Sequence, residues 1–350
     1  MTSRVTATLA LACATLTSTA FTSAHAQSNV TLYGIVDSGF VYQSDPITGS
    51  GSKKSITGGG QSGSRLGLRG IEDLGSGNKA FYTLEMGINA DDGTSTLGAL
   101  FGRQAFVGIE NTRLGSLSLG RQYTPFYSMT FLTSDTFGVG MMGAAINLQN
   151  GFTRSNNSAI YKTPTFAGLT ASIMYAAGES TLSTSAGRSY AAAVLYQSGA
   201  LKASLGHYSA NNATGTAASY GTMLGANYDL GPVVLFGDIQ RLRSDLNGVP
   251  GVTKQDTNVN LYSLGARVPV GRHTAYGAVT YADDQRKIAN ADAKATHLAL
   301  GYTYQLSKRT NLYSSVAKIN NRNGARYQMI NATTPGYGQF GFDLGIRHLF

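Results

Sequence analysis

The stretch Gly341-Phe-Asp-Leu-Gly-Ile-Arg-His-Leu-Phe350 alternates two kinds of residue. Phe342, Leu344, Ile346 and Phe350 fall on one face, and Asp343, Gly345 and Arg347 on the other. A period of two is the period of a β-strand, and an apolar face opposite a polar one suits a strand with lipid on one side and water on the other. A strand of a soluble sandwich alternates in the same way, so the decision falls to the rest of the chain.

The alternation recurs throughout the chain. In Asn29 to Tyr42, Val30, Leu32, Val36 and Phe40 oppose Thr31, Tyr33 and Asp37; in Lys79 to Ile88, Ala80, Tyr82, Leu84, Met86 and Ile88 oppose Lys79, Thr83, Glu85 and Gly87. Sixteen such segments are legible: 29–43, 62–72, 78–90, 99–111, 114–124, 155–164, 168–178, 187–198, 200–210, 217–229, 232–243, 256–268, 272–283, 293–305, 309–320 and 337–350. Their connections alternate between tight turns, such as Ser198-Gly-Ala200 and Pro269-Val-Gly271, and longer polar loops, such as 44–61, 244–255, 284–292 and 321–336. Short turns at one end, long loops at the other and an even strand count predict an all-β chain forming a 16-stranded antiparallel transmembrane barrel. Lipid offers no partner to an open sheet edge, so the first and last strands must pair.

The other end of the chain agrees. Residues 1–26 read as a cleaved signal peptide, with Arg4 as their one charge, an apolar run from Val5 to Ala20 and an Ala24-His-Ala26 cleavage site. Cys13 lies inside that segment, so the exported part from Gln27 contains no cysteine and needs no disulfide framework. No stretch of the exported chain reaches 18 unbroken apolar residues, which excludes helical membrane spans. Only 13% of residues are charged while 44 are Gly and 20 are Tyr, a balance ordinary for a barrel and unusual for a soluble enzyme. The formal charge of +9 is spread along the chain without a basic helix or cluster, so it points to a positive interior field and not to nucleic acid. With no Trp, the Tyr and Phe residues must supply the aromatic girdles at the membrane interfaces.

Several blocks resemble Gram-negative general porins, nearest to the β-proteobacterial variety found in Burkholderia, Bordetella and Comamonas relatives. They are Asn29-Val-Thr-Leu-Tyr-Gly34, Ser64-Arg-Leu-Gly-Leu-Arg-Gly-Ile-Glu-Asp-Leu-Gly75, Phe101-Gly-Arg-Gln-Ala-Phe-Val-Gly108, Gly115-Ser-Leu-Ser-Leu-Gly-Arg-Gln-Tyr123 and Gly345-Ile-Arg-His-Leu-Phe350. The resemblance implies a homotrimer in the bacterial outer membrane, in contact with outer-membrane lipid and lipopolysaccharide, with the third long loop folded into the pore. On this reading 27–350 is one barrel domain, loop 125–153 is the constriction loop, and Phe342, Leu344, Ile346 and Phe350 form a C-terminal assembly signal. That loop is richer in Phe, Met, Val and Ala than a solvated loop, which fits packing against a wall from inside.

Passive selectivity needs charged side chains where low-dielectric walls focus the field. By resemblance Arg65, Arg121 and Arg154 match a basic cluster facing an acidic loop, and Arg103 is a further candidate. Arg65 and Arg69 alternate with Leu66 and Leu68 and so face water; Arg121 shares the parity of Leu117 and Leu119 and needs a bulge near Gly120 to turn inward. The opposing acids are few: Asp135 in the loop, Glu85 from its strand parity, and Asp37 as a further lumen candidate. The balance predicts an anion-preferring diffusion pore for small hydrophilic solutes and inorganic ions. The alternatives are a solute-specific channel for organic acids or phosphate, and an outer-membrane enzyme or adhesin. Against catalysis, His207, His273, His297 and His348 have no nucleophile motif nearby, and Asp91-Asp92 and Asp283-Asp284 read as solvated loop acids. No Cys/His metal constellation exists in the exported chain, and no cofactor is expected.

Overall fold

In the computed structural model residues 29–44, 51–181, 183–244, 258–288, 291–329 and 338–350 are described, with backbone alone for 286–288, 291 and 292. The expected signal segment and parts of four expected outer loops lie outside these residues.

The strands are β1 (Asn29–Ser44), β2 (Ser52–Gly58), β3 (Arg65–Gly75), β4 (Asn78–Ile88), β5 (Ser95–Thr96), β6 (Gln104–Asn111), β7 (Gly115–Tyr123), β8 (Arg154–Lys162) and β9 (Leu169–Ala176). They continue as β10 (Ser189–Ser198), β11 (Leu201–Asn211), β12 (Ala218–Asp229), β13 (Val234–Ser244), β14 (Asn258–Val270), β15 (His273–Ile288), β16 (Ala291–Gln305), β17 (Thr310–Arg322) and β18 (Phe340–Leu349). β2 and β3 are two halves of one stave, because β1 pairs with β3 along Asn29–Ile35 and with β2 along Ser38–Ser44. β5 and β6 likewise share one neighbour, β4. Eighteen segments therefore make a closed antiparallel barrel of sixteen staves. The wall closes where β1 pairs with β18 from Ile35↔Leu349 to Gln43↔Gly341. At that seam Phe350 and Gly34 exchange both backbone hydrogen bonds at 3.1 Å, and the Phe350 ring fills the space that a side chain at position 34 would need.

The barrel is turned inside out relative to a soluble protein. Leu264 and Leu300 are 67% and 65% exposed on the outer face, while Asp37 and Gln240 are wholly buried on the inner one. This is the arrangement that lipid outside and polar contents inside require. Two expectations need correction. Residues 52–58, read as part of a loop, form β2, since the upper half of β1 has hydrogen-bonding groups that must be paired. The expected loop 284–292 is largely a strand extension, with β15 running to Ile288, β16 starting at Ala291 and an irregularity between Asp284 and Lys287. The polar composition of both stretches hid a pairing that belongs to the barrel rim.

Candidate pore constriction

The connection between β7 and β8 does not leave the barrel. It is pinched at its root, where Thr124 N donates to Thr153 O (3.1 Å) and Thr124 Oγ1 to Phe152 O (2.7 Å). Phe126–Phe131 then form a helical turn whose aromatic rings pack on Tyr123, Phe152 and one another. Beyond it the loop crosses the inner wall: Asn227 Nδ2 donates to Thr133 O (2.6 Å), Met142 N donates to Ser315 Oγ (2.8 Å), and Gln149 and Asn150 bond to Asp238 and Gln240. Burial, with Phe126 and Phe131 fully enclosed, accounts for the apolar composition of this loop.

The wall makes room for it. A side-chain carbon at Gly206, Gly221, Gly225, Gly265, Gly301 or Gly341 would lie 2.1–2.7 Å from Thr130, Phe152, Ser134, Thr136, Phe137 or Met142 respectively. These glycines sit on β11, β12, β14, β16 and β18 and mark the path of the loop across the barrel. Glycine here serves close approach, not turning.

The inner faces of β1, β3, β4, β7 and β8, with Arg103 just before β6, carry a different chemistry. Glu85 accepts from Tyr33 Oη (2.9 Å) and forms an ion pair with Arg103 (2.7 Å). Arg103 Nη2 also donates to Tyr123 Oη (2.7 Å), and Arg154 Nη2 donates to the same oxygen (2.9 Å) while lying 4.5 Å from the centre of the Tyr123 ring. Arg65 stands within electrostatic range of Arg103, Glu85 and Tyr123 and donates from Nε to Gly63 O (3.0 Å). Arg69 lies over the Tyr33 ring at 5.4 Å. Four arginines thus share a connected set with one carboxylate, and that carboxylate is already paired. The net charge of this set is positive.

Residues 7–324 match the model of the Gram-negative porin family. The chain belongs to that family. It is 35% identical to outer membrane porin protein 32 of Delftia acidovorans over 94% of this chain and 96% of that one. It is 32% identical to an outer membrane porin protein of Bordetella pertussis, with the same coverage of each. Among solved structures, the anion-selective porin from Comamonas acidovorans superimposes with a TM-score of 0.80 at 33% identity, covering 92% of this chain and all of the other. The porin is accordingly an outer-membrane channel that small hydrophilic solutes and ions cross passively.

Within this porin the expected site residues are not all together. Arg65, Arg69, Arg103, Arg154 and Glu85 form the connected wall just described. A bulge does interrupt the β7–β8 register between Gly120 and Gln122, with Gly120 at φ +134°. It takes Arg121 not to Tyr123 but to Gly102 O (2.6 Å) and Asn156 Oδ1. Arg121 and Arg154 still line one cavity of about 1030 Å³, together with Asn156, Tyr208 and Arg326. Asp135 departs from expectation. It is buried, and its carboxylate accepts from Phe137 N (3.0 Å) and Val139 N (2.6 Å), so it braces the loop and does not face the arginines across water. Burial pushes its carboxyl above the ordinary carboxylate value, partly offset by those two N–H groups. Burial likewise pushes the Tyr127 phenol up to about 12, so it stays neutral.

Asp37 is also a brace. It accepts from Tyr313 Oη (2.7 Å), Ser62 N (2.6 Å) and Gln61 N (3.0 Å), which holds segment 59–64 inside the barrel between β2 and β3. Of the four C-terminal residues, Leu344, Ile346 and Phe350 are exposed on the outer face, and Phe342 is half-buried. Sequence reasoning missed Tyr123, Tyr33 and the wall glycines. The glycines had a signal: each sits on the inward parity of its strand.

Proposed function

We propose that this porin is a general diffusion pore with a preference for anions, narrowed between loop 125–153 and the wall carrying Arg65, Arg103 and Arg154. The observation that carries the reading is the junction at Tyr123, where one hydroxyl fixes Arg103 and Arg154 side by side opposite a loop whose acid is turned away. Arginines held as a group, with Glu85 as their paired acid, leave a positive local field, and low-dielectric walls focus it on whatever passes. The anion selectivity named for the Comamonas relative supports the same sign. The protein works as a channel and not as an enzyme; Asp92, in one of the acidic pairs, is taken up in capping Thr94 at the turn. Residues 1–26 serve as the cleaved signal for export.

The test is the reversal potential of purified protein in a planar bilayer under a KCl gradient. A chloride-favouring value is expected. A guanidinium about 5 Å from the ion path in a water-filled lumen is worth ~0.8 kcal/mol before screening, so Arg154→Ala should lower the chloride-to-potassium ratio roughly two- to fourfold, and adding Arg65→Ala should lower it further. A potassium-favouring parent channel would sink the charge assignment.

A further inference from the structure

We propose that Arg267, on β14 and remote from the arginine wall, is a positioning residue that sets the width of the passage by holding the third loop at its middle. Its Nε donates to Thr136 O and its Nη2 to Asp135 O (2.9 Å). The guanidinium is stacked 4.5 Å from the Phe236 ring centre and lies 5.7 Å from that of Tyr276, so neighbouring strands β13 and β15 fix its plane. A planar fork that reaches two successive carbonyls is a task for arginine and not for a point charge.

What Arg267 grips is already rigid. Asp135 is extended (φ −73°, ψ 113°), and its carboxylate ties down Phe137 N and Val139 N, so the turn moves as a unit. Six residues on, Met141 N donates to Gly60 O of the inward segment 59–64 that Asp37 holds. The stretch from Asp135 to Met141 is therefore a bridge with two abutments, Arg267 at one end and segment 59–64 at the other. A side-chain carbon at Gly140 would lie 1.7 Å from Gln61 O, so the bridge and the segment are in direct backbone contact. Releasing one abutment lets the bridge move while the arginine wall, on other strands, stays in place.

The inference rests on the reading of the third loop as the constriction, and the experiment separates the two. Single-channel conductance, open-channel noise and reversal potential are compared for the parent, Arg267→Ala, Arg267→Lys and a chain lacking residues 132–148, each first shown to be a folded barrel by heat-modifiable electrophoretic mobility. Arg267→Ala should raise conductance roughly 1.5-fold or more and add open-channel noise without reversing the ion preference, since pore width changes and the charged wall does not. Arg267→Lys should recover part of the parental behaviour, because an ammonium still reaches one carbonyl. Should the alanine variant fail to fold, Arg267→Met, which keeps the apolar stem and has no N–H donor, is read in the same way. Parental conductance and noise in the folded alanine or methionine variant, with a widened loop deletion, would overturn the role of Arg267 alone. An unchanged loop deletion would overturn the constriction reading with it.

Discussion

Tyr123 accepts two guanidinium hydrogen bonds through one oxygen, and a phenol has the two lone pairs to do so. The consequence is that Arg103 and Arg154, which would repel, are kept adjacent by a neutral group. A lumen carboxylate that takes up a proton only adds to the positive balance of the wall. Asp135 behaves in the same sense. Its folded value is raised, so its contribution favours the folded loop in acid and is lost as pH rises from the ordinary carboxylate range through that raised value. Acidification from about pH 7 to about pH 4 should therefore leave the anion preference intact or stronger and the open channel no noisier. Reversal potential and noise recorded across that range check it; a drift toward cation preference in acid would contradict it. Arg65, Arg69 and Glu85 were legible at this scale because simple alternation puts them inward. Asp135 was not, since composition marks an acid in a loop but says nothing of the backbone N–H groups that fold around it.

At the scale of the element, alternation located most strands to within a few residues, and it failed where composition was polar. β2 contains Lys53, Lys54 and Ser55, and only the need of β1 for a partner makes it a strand. The bulge in β7 was legible for the opposite reason, since Arg121 on an apolar parity demanded an irregularity, although the bulge leads the side chain to Gly102 and Asn156. The outward face obeys a depth rule: a cation at the bilayer midplane costs about 2–4 kcal/mol, falling to about 0–1 kcal/mol near the interfaces. Leu264, at the middle of β14, and Val270, at its turn end, are similarly exposed at 67% and 64%. Leu264→Arg should thus destabilise the barrel by ~2–4 kcal/mol and Val270→Arg by ~1 kcal/mol or less. Denaturant unfolding in lipid vesicles measures the pair, and equal costs would show that the membrane does not sit where these strands place it.

On the scale of the whole molecule, the lumen is divided between two kinds of wall. β10 to β18 carry the third loop, and their inward acids, such as Asp238 and Asp343, are buried and bonded to Gln149 and Ser315. β3, β8 and the residue before β6 carry the connected arginines. Sequence alone reached the barrel, its closure and the inward fold of the third loop; the division of the lumen escaped it, because that depends on which distant strands the loop crosses. Three copies are expected to assemble, as the family resemblance implies. Native mass measurement in mild detergent should give a trimer, and bilayer recordings should close in steps of one third; a monomeric mass with single-step closure would exclude it. The six wall glycines are matched to the third loop residue by residue. The loop is specified twice, once by its own residues and once by blanks left in five strands far along the chain. Grafted alone into another barrel it would meet side chains where these blanks stand, so loop and blanks are heritable only as a set, and a barrel engineered for a new aperture must be recut on the wall opposite the one being redesigned.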